Sequence, residues 1–469
     1  MSSASSATAA AKVAAPAGGS AGPGADMLRL TQGPILPTLL RLALPNVLAM
    51  ALTVLVGIAE TYYVGRLGTT PLAAMALVFP FAMLTQMMSA GAMGGGVSSA
   101  VSRALGAGDQ ARATALVRHA VVIGVAAGLA YTVLFLVCGP TFYAWLGGQG
   151  AVLAEATTYG AVIFSGPLMV WLSNTLASVL RGTGNMRVPS VTIVAAALLQ
   201  IALGGLLGLG AGPVPSFGMV GVAVGHVVAT TASVTVLWWF LASGQARVPL
   251  QWRGPRLQAA LLADILRVGA LSCLSPVMSV LTVLVFTGLI AHLGVLPLAG
   301  YAIGQRLEFL LIPIAFGIGV ASVPMVGMAI GAGDVARARR VAWLAGGVSA
   351  LNLALIGLTV ALWPDLWAGL FTQEPAVLEH ARQYLRTVGP VFPLFGIGLT
   401  LYFASQGAGR VLGPVLASAV RLLLVAGAGW GLARTQATPA TLFLLVAAAM
   451  AAYGLLTALA VKLTTWRRH

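Results

Sequence analysis

The chain has 469 residues, 59% of them hydrophobic and 7% charged, where an ordinary soluble protein carries ~25% charged side chains. With 25 Lys and Arg, 10 Asp and Glu and a mean hydropathy of +0.96, there is too little polar surface to cover a water-soluble globule of this size. The net charge of +15 does not imply nucleic acid, because such binders gather basic residues in a patch or stripe on a soluble domain, whereas here they punctuate apolar runs. Cys138 and Cys273 each lie inside such a run, so the pattern offers neither a disulfide framework nor a Cys-x-x-Cys metal site.

Residues 1–26 are Ala, Ser, Gly and Pro with Lys12 and Asp26, too poor in large apolar side chains to build a core. They read as a disordered cytoplasmic tail. The segment lacks the basic start and leucine-rich run of a secretory signal, and Met27 is a second candidate start.

From there, apolar stretches long enough to cross ~30 Å of hydrocarbon run at 38–64, 72–98, 115–138, 157–180, 188–210, 218–242, 267–292, 297–329, 340–363, 384–405, 411–432 and 439–463. Each is near-continuously apolar, which predicts helices; the strands of a membrane barrel would be ~10-residue segments of alternating polarity. The expected fold is an all-α polytopic membrane protein with twelve transmembrane helices. The positive-inside rule fixes its orientation. With a cytoplasmic N-terminus, eighteen Lys and Arg fall on the inside, against Arg66, Arg382, Arg386 and Arg434 on the outside. The even count returns the C-terminus to the cytoplasm. The excess positive charge then faces the anionic headgroups of the bilayer.

A repeat joins the two halves. Ala104-Leu105-Gly106-Ala107-Gly108-Asp109-Gln110-Ala111-Arg112-Ala113 returns as Ala329-Ile330-Gly331-Ala332-Gly333-Asp334-Val335-Ala336-Arg337-Ala338, with eight identities in ten at a spacing of 225. Leu67-Gly68 and Pro71-Leu72-Ala73 return as Leu293-Gly294 and Pro297-Leu298-Ala299, and Gly182, Gly184 and Pro189 return as Gly407, Gly409 and Pro414. Six helices per copy start each copy on the same side, so the bundles are related by a pseudo-twofold along the membrane normal, with a ligand site expected between them. The domains are then an N-terminal lobe at 27–242, a basic cytoplasmic linker at 243–262 with Trp252 placed for the membrane interface, and a C-terminal lobe at 263–469.

The Gly-Ala-Gly-Asp turns lack the Lys-Ser/Thr of a P-loop, and their glycines and aspartates suit a helix end followed by an N-cap. No ATPase module is present, so any pumping draws on an ion gradient or on a partner. No metal-ligand cluster or nucleophile and base pair stands within the spans, so the chain is not read as an enzyme.

Ionisable residues inside the spans are few and therefore informative. Glu60 lies seven residues before Leu67, roughly two helical turns from the outer loop. It is either a carboxylate reaching the interface or a desolvated carboxyl that takes a proton from outside and releases it inside. Arg306 and Glu308, two apart, face different sides of helix 8, and Arg421 is a candidate partner for Glu308. A structural ion-pair network and a substrate role are both open for these three. His226 reads as a core histidine. Pro45, Pro80, Pro276, Pro313 and Pro324 interrupt spans where kinks are tolerated, and Met75, Met83, Met87, Met88 and Met93 in helix 2 suit either gap filling or an adaptable pocket.

Taken in order, Leu44-Pro45, Ala59-Glu60-Thr61, Leu-Gly-x-x-Pro-Leu-Ala before helices 2 and 8, Gly-Ala-Gly-Asp after them and Arg181-Gly182-Thr183-Gly184-Asn185 before helix 5 make the chain resemble the multidrug and toxic compound extrusion (MATE) family, nearer its DinF-type prokaryotic branch, from about Leu30 onward. The resemblance implies a secondary antiporter that exports amphipathic, often cationic, organic compounds by alternating access of two lobes. No cofactor is implied beyond a proton gradient, with sodium as the alternative ion, and a lipid-linked oligosaccharide flippase is the alternative function. It further implies a monomer in a bacterial inner membrane. The family's helix 1 aspartate matches Glu60, and its helix 1 proline matches Pro45. The helix 5 asparagine and aspartate of the DinF-type branch match Gln200 and Gly204, so the second acid is missing. The helix 7 glutamate of the NorM-type branch matches Ser279.

Overall fold

The computed structural model describes residues 23–210, 212–251, 256–433 and 438–466. The expected tail at 1–22, Trp252 and Arg253 of the linker, and Arg434, Arg467 and Arg468 lie outside the described residues. In chain order the helices are α1 (Pro23–Gln32), α2 (Ile35–Leu67), α3 (Thr69–Gln86), a π-helix (Met87–Met93), α4 (Gly94–Gly106), α5 (Gln110–Trp145), α6 (Gly150–Ile163), α7 (Pro167–Gly182), α8 (Arg187–Leu209) and α9 (Gly218–Ala242). The second half follows with α10 (Ala259–Ser272), α11 (Leu274–Ala291), α12 (Val295–Gly331), α13 (Val335–Leu362), α14 (Asp365–Ala368), α15 (Pro375–Val388), α16 (Phe392–Gly407), α17 (Leu412–Ala433) and α18 (Pro439–Leu463).

Eleven of these spans are long and apolar enough to cross a bilayer, and α6 with α7, bent by 43° at Phe164–Gly166, make the twelfth. The bend falls just before Pro167, which takes the first helical position of α7 and cannot continue the hydrogen bonding of the preceding turn. Two boundaries differ from the sequence expectation. Helix α1 begins at Pro23, inside the expected tail at 1–26, and α10 begins at Ala259, so the linker expected at 243–262 gives up its last four residues. Ala259, Ala260, Leu261 and Leu262 are strong helix formers, and the buried Leu261 anchors the turn.

The repeat is visible in the turns. Gly108 and Gly333 adopt φ +77° and +83°, the left-handed conformation that ends a helix in a Schellman turn. Asp109 N–H bonds Ala104 O at 3.0 Å and Asp334 N–H bonds Ala329 O at 2.9 Å. Each aspartate then caps the next helix, accepting from Arg112 N and Arg337 N at 2.8 Å. These turns mark one end of the bundle, called the basic end here. The first and last described segments meet there: Arg337 donates to Leu30 O and Gly33 O at 3.2 and 2.7 Å, and Arg339 to Thr464 O at 2.7 Å. The linker lies against the same end, with Gln110 donating to Arg247 O and Gln258 N–H to His119 Nε2.

The two six-helix lobes meet through α4 and α12. A Cβ on Gly106 would strike the Met328 carbonyl, and a Cβ on Gly331 would strike the Arg103 carbonyl; with the repeat spacing of 225 these are the same contact seen from either lobe. Two helices cross between lobes. The first half of α2 packs on α12, where the Gly317 position abuts the Val47 backbone, while its second half bonds α8 of its own lobe. Symmetrically, α10 packs on α4 with Gly96 against Gly269, and α11 returns to α17 of its own lobe.

Candidate functional site

Glu60 and Gln200 come together. Gln200 Nε2 donates to Glu60 Oε1 at 2.6 Å, with both side chains half-buried between α2 and α8. One turn further along α2, Tyr63 donates its hydroxyl to Ile201 O at 3.2 Å. Its ring lies 3.8 Å from where a Cβ on Gly204 would stand. An aromatic ring therefore occupies the space beside the position of the family's second acid. Tyr159 is buried in α6 of the same lobe. Sequence reading missed both tyrosines, although Tyr63 sits at i+3 from Glu60 and so shares its helix face.

Pro45 lies inside α2, at the stretch where the helix still rests on the other lobe. Its ring removes one helical hydrogen bond and leaves the Arg41 carbonyl without its usual donor. The adjacent Asn46 is 1% exposed, and neither of its amide atoms has a partner. A missing backbone bond thus lies next to a buried amide without a partner in this turn of α2.

In the other lobe the candidates separate. Arg306 is exposed and stacks on Phe371, 5.2 Å from the ring centroid, so it does not point into a bundle. Ser279 is half-buried in α11. Glu308 and Arg421 line one cavity of about 20 Å³, roughly a water in size, together with Thr282, Tyr301, Val425 and Met450. They form no ion pair within 4 Å among the described residues. Glu308 instead accepts from the Tyr384 hydroxyl, and Arg421 lies over Phe395 and Tyr453, 5.8 and 5.9 Å from their centroids, with its Nε unpaired. The candidate pairing of Glu308 with Arg421 is thus not made directly; the two ionisable side chains line one small cavity. Tyr384 was not legible in the sequence, since it comes from α15, 76 residues away.

A third polar group holds the basic end shut. Asp264 of α10 accepts from Arg103 at 2.6 Å and from Arg112 at 2.9 Å. Arg103 also bonds the Ser99 hydroxyl, and that hydroxyl donates to the Gln406 carbonyl of the opposite lobe. Gln406 Nε2 answers by donating to Gly91 O at 3.1 Å. In the N-lobe, Asn174 of α7 donates to Gln86 and Ser89 at 3.2 and 2.8 Å, tying α7 to the π-helix, a geometry that recurs at functional positions.

Two like-oriented lobes joined at one end, crossed by two helices and carrying isolated carboxyls inside their spans, define a two-lobed membrane transporter. The MatE family model matches residues 45–206 and 272–430, and the chain belongs to that family; it is a transport protein and not an enzyme. It is 24% identical over 404 residues to an FAD transporter of Shewanella oneidensis, covering 85% of this chain and 88% of that one. It is 25% identical over 388 residues to the probable multidrug resistance protein NorM of Thermotoga maritima, covering 81% of each. Among solved structures, an outward-facing multidrug resistance MATE family transporter of the MOP superfamily superposes with a TM-score of 0.84 at 22% identity, over 93% of this chain and 97% of that one. A MOP superfamily transporter from Pyrococcus furiosus, for which reverse polarity of the binding pocket suggests a different function, superposes with a TM-score of 0.85 over the same shares.

Proposed function

We propose that this protein is a secondary antiporter that exports amphipathic, often cationic, organic compounds in exchange for protons. It works as a monomer in the bacterial inner membrane with both termini in the cytoplasm, and Glu60 carries the coupling. The observation that supports this reading most directly is the Glu60–Gln200 hydrogen bond beside Gly204 and Tyr63. A sodium ion in a dry site needs several oxygen ligands with enough negative charge to offset its dehydration. Here one carboxylate, one amide and an aromatic ring stand in that space. A proton needs only the carboxyl.

The cycle follows from charge. Ionised Glu60 accepts from Gln200 and holds α2 against α8, and it attracts a cationic substrate. Protonation neutralises it, weakens that charge-assisted hydrogen bond and lets α2 repack, with the bend taken up beside Pro45. A substrate that binds one state better than the other shifts the balance between them by that difference and no more. The flippase reading calls for a cavity rich in basic side chains. Arg306 stacks on Phe371 at the surface and Arg421 faces Glu308, which weighs against it.

In proteoliposomes, an imposed pH gradient should drive uphill movement of ethidium. Glu60→Gln should abolish that movement with folding intact, and Glu60→Asp should retain part of it. Transport driven by a sodium gradient and indifferent to the pH gradient would overturn the proton assignment.

A further inference from the structure

A trough of about 230 Å³ runs between α17 and α18 on the outer face of the C-lobe. Its walls include Gly413, Leu416 and Val420 of α17 and Leu456, Leu459 and Leu463 of α18, at spacings of three and four that give one stripe on each helix. Leu416, Leu459 and Leu463 are 55%, 50% and 70% exposed, so the trough opens outward to lipid and not into the bundle. Seven residues of α17 make it roughly 10 Å long, about two-thirds of the hydrocarbon depth of one leaflet. The helices close on each other at Gly413, where an added Cβ would stand 2.6 Å from the Ala460 Cβ.

Both helices reach the basic end at this point. Arg410 stands two residues before α17 begins, and Lys462 one residue before α18 ends. Lys462 is exposed, and Arg410 is half-buried with its Nε unpaired among the described residues. Capping does not account for this arginine. The matching N-lobe residue, 225 positions earlier, is Asn185, whose side-chain oxygen accepts from Val188 N–H at 3.2 Å; a guanidinium has donors only and cannot take that role. Gly413 likewise matches Val188, so the C-lobe alone combines a glycine and a cation at these positions. From Arg410 to His469 the sequence has six Lys and Arg and no Asp or Glu, so the segment that builds the trough brings no counter-charge of its own.

We infer that the trough and the two cations form a binding site for one anionic phospholipid, with an acyl chain laid between α17 and α18 and the headgroup phosphate held by Arg410 and Lys462. Long basic side chains at helix ends extend to the headgroup layer while their stems stay on apolar surface, and basic pockets between helices suit acidic headgroups. The unused donors of Arg410 gain charge-assisted hydrogen bonds from phosphate oxygens. The trough alone would accept the chain of any lipid; the cations make the site select for net negative charge.

The test uses the full chain, purified in detergent and titrated with dioleoyl phosphatidylglycerol or dioleoyl phosphatidylcholine, with bound lipid counted by native mass spectrometry. Wild type should retain one phosphatidylglycerol about tenfold or more tightly than phosphatidylcholine. Arg410→Gln with Lys462→Gln should remove that preference, and Arg410→Lys should keep part of it. Leu416→Trp with Leu459→Trp, which fills the trough from its exposed rim, should weaken phosphatidylglycerol binding severalfold with both cations in place. Arg187→Gln removes an exposed cation from the start of α8 in the N-lobe and should leave the affinity within about twofold. Each substitution is read on protein that keeps the wild-type melting midpoint without lipid. A preference for phosphatidylglycerol that survives loss of Arg410 and Lys462 overturns the site. So does an equal loss in Arg187→Gln, which would mean diffuse attraction to the whole basic end. Glycerol 1-phosphate that displaces the bound lipid as effectively as phosphatidylglycerol does would leave an anion site without a chain, and overturns the phospholipid assignment.

Discussion

A carboxyl inside a membrane span needs a donor close at hand, and the two lobes supply it differently. Glu60 has the amide of Gln200, while Glu308 has the Tyr384 hydroxyl. The C-lobe arrangement makes a measurable claim about coupling. In double-mutant cycles followed by thermal unfolding in detergent, Glu308→Gln with Tyr384→Phe should show an interaction energy between about 0.5 and 3 kcal/mol, the range for side chains in direct contact. Glu308→Gln with Arg421→Gln should come closer to additivity, because a cavity separates the two charges. A larger coupling to Arg421 than to Tyr384 would show that the charges, and not the hydroxyl, set the energetics. At this scale the sequence was partly legible. That Glu60 and Gln200 stand together was legible because carboxyls are rare in apolar runs and because the family pattern aligned helix 5. Tyr63 and Tyr384 were not, since a tyrosine in an apolar run carries no signal until its partner on another helix is known.

Helices act here by how closely they approach one another. The α4 and α12 seam depends on Gly106 and Gly331, each facing a carbonyl of the other helix, and on Ser102 fitting against Gly327. Asp264 strengthens it electrostatically by serving Arg103 and Arg112 while α10 rests on the N-lobe. Asp264→Asn leaves Arg103, a largely buried cation, short of its counter-charge, and such a loss weakens the closed arrangement. A single cysteine at Ser102, in a background without Cys138 and Cys273, should then label about tenfold faster with a polar maleimide, the change that ~1.4 kcal/mol produces in an opening equilibrium. Gly331→Val should do the same by steric means. Unchanged labelling in both variants would mean that the seam is held by other contacts. Pro45 belongs at this scale too. Pro45→Ala restores a helical hydrogen bond to α2, so transport should fall several-fold while membrane abundance stays at the wild-type level, as judged by immunoblot and by efflux of ethidium from cells. Neither the crossing of α2 and α10 nor the break at Cys273 was legible, because hydropathy records which residues avoid water and not which lobe they lie against. The π-helix hid for the same reason, inside a run that reads as continuous helix.

At the scale of the whole molecule, the repeat and the twelve spans were readable because lipid imposes a long, simple pattern on the chain. The bend between α6 and α7 escaped notice within a single apolar run. Orientation is the remaining whole-molecule quantity, and it rests on charge. Lys and Arg are retained on the cytoplasmic side of a bilayer, and the basic end carries Arg103, Arg112, Arg337, Arg339 and the described part of the linker. The first and last described segments bond there through α13, so one measurement orients both. Gln149 and Gln373 are exposed in turns at the opposite end, and Gln251 is exposed in the linker. Single cysteines at these positions, without Cys138 and Cys273, should react with a membrane-impermeant maleimide in intact cells at 149 and 373. Position 251 should react only after permeabilisation. Labelling of 251 in intact cells would invert the molecule in the membrane. The closed seam would then face outward, and protons entering from outside would reach Glu60 from the end that this structure holds shut.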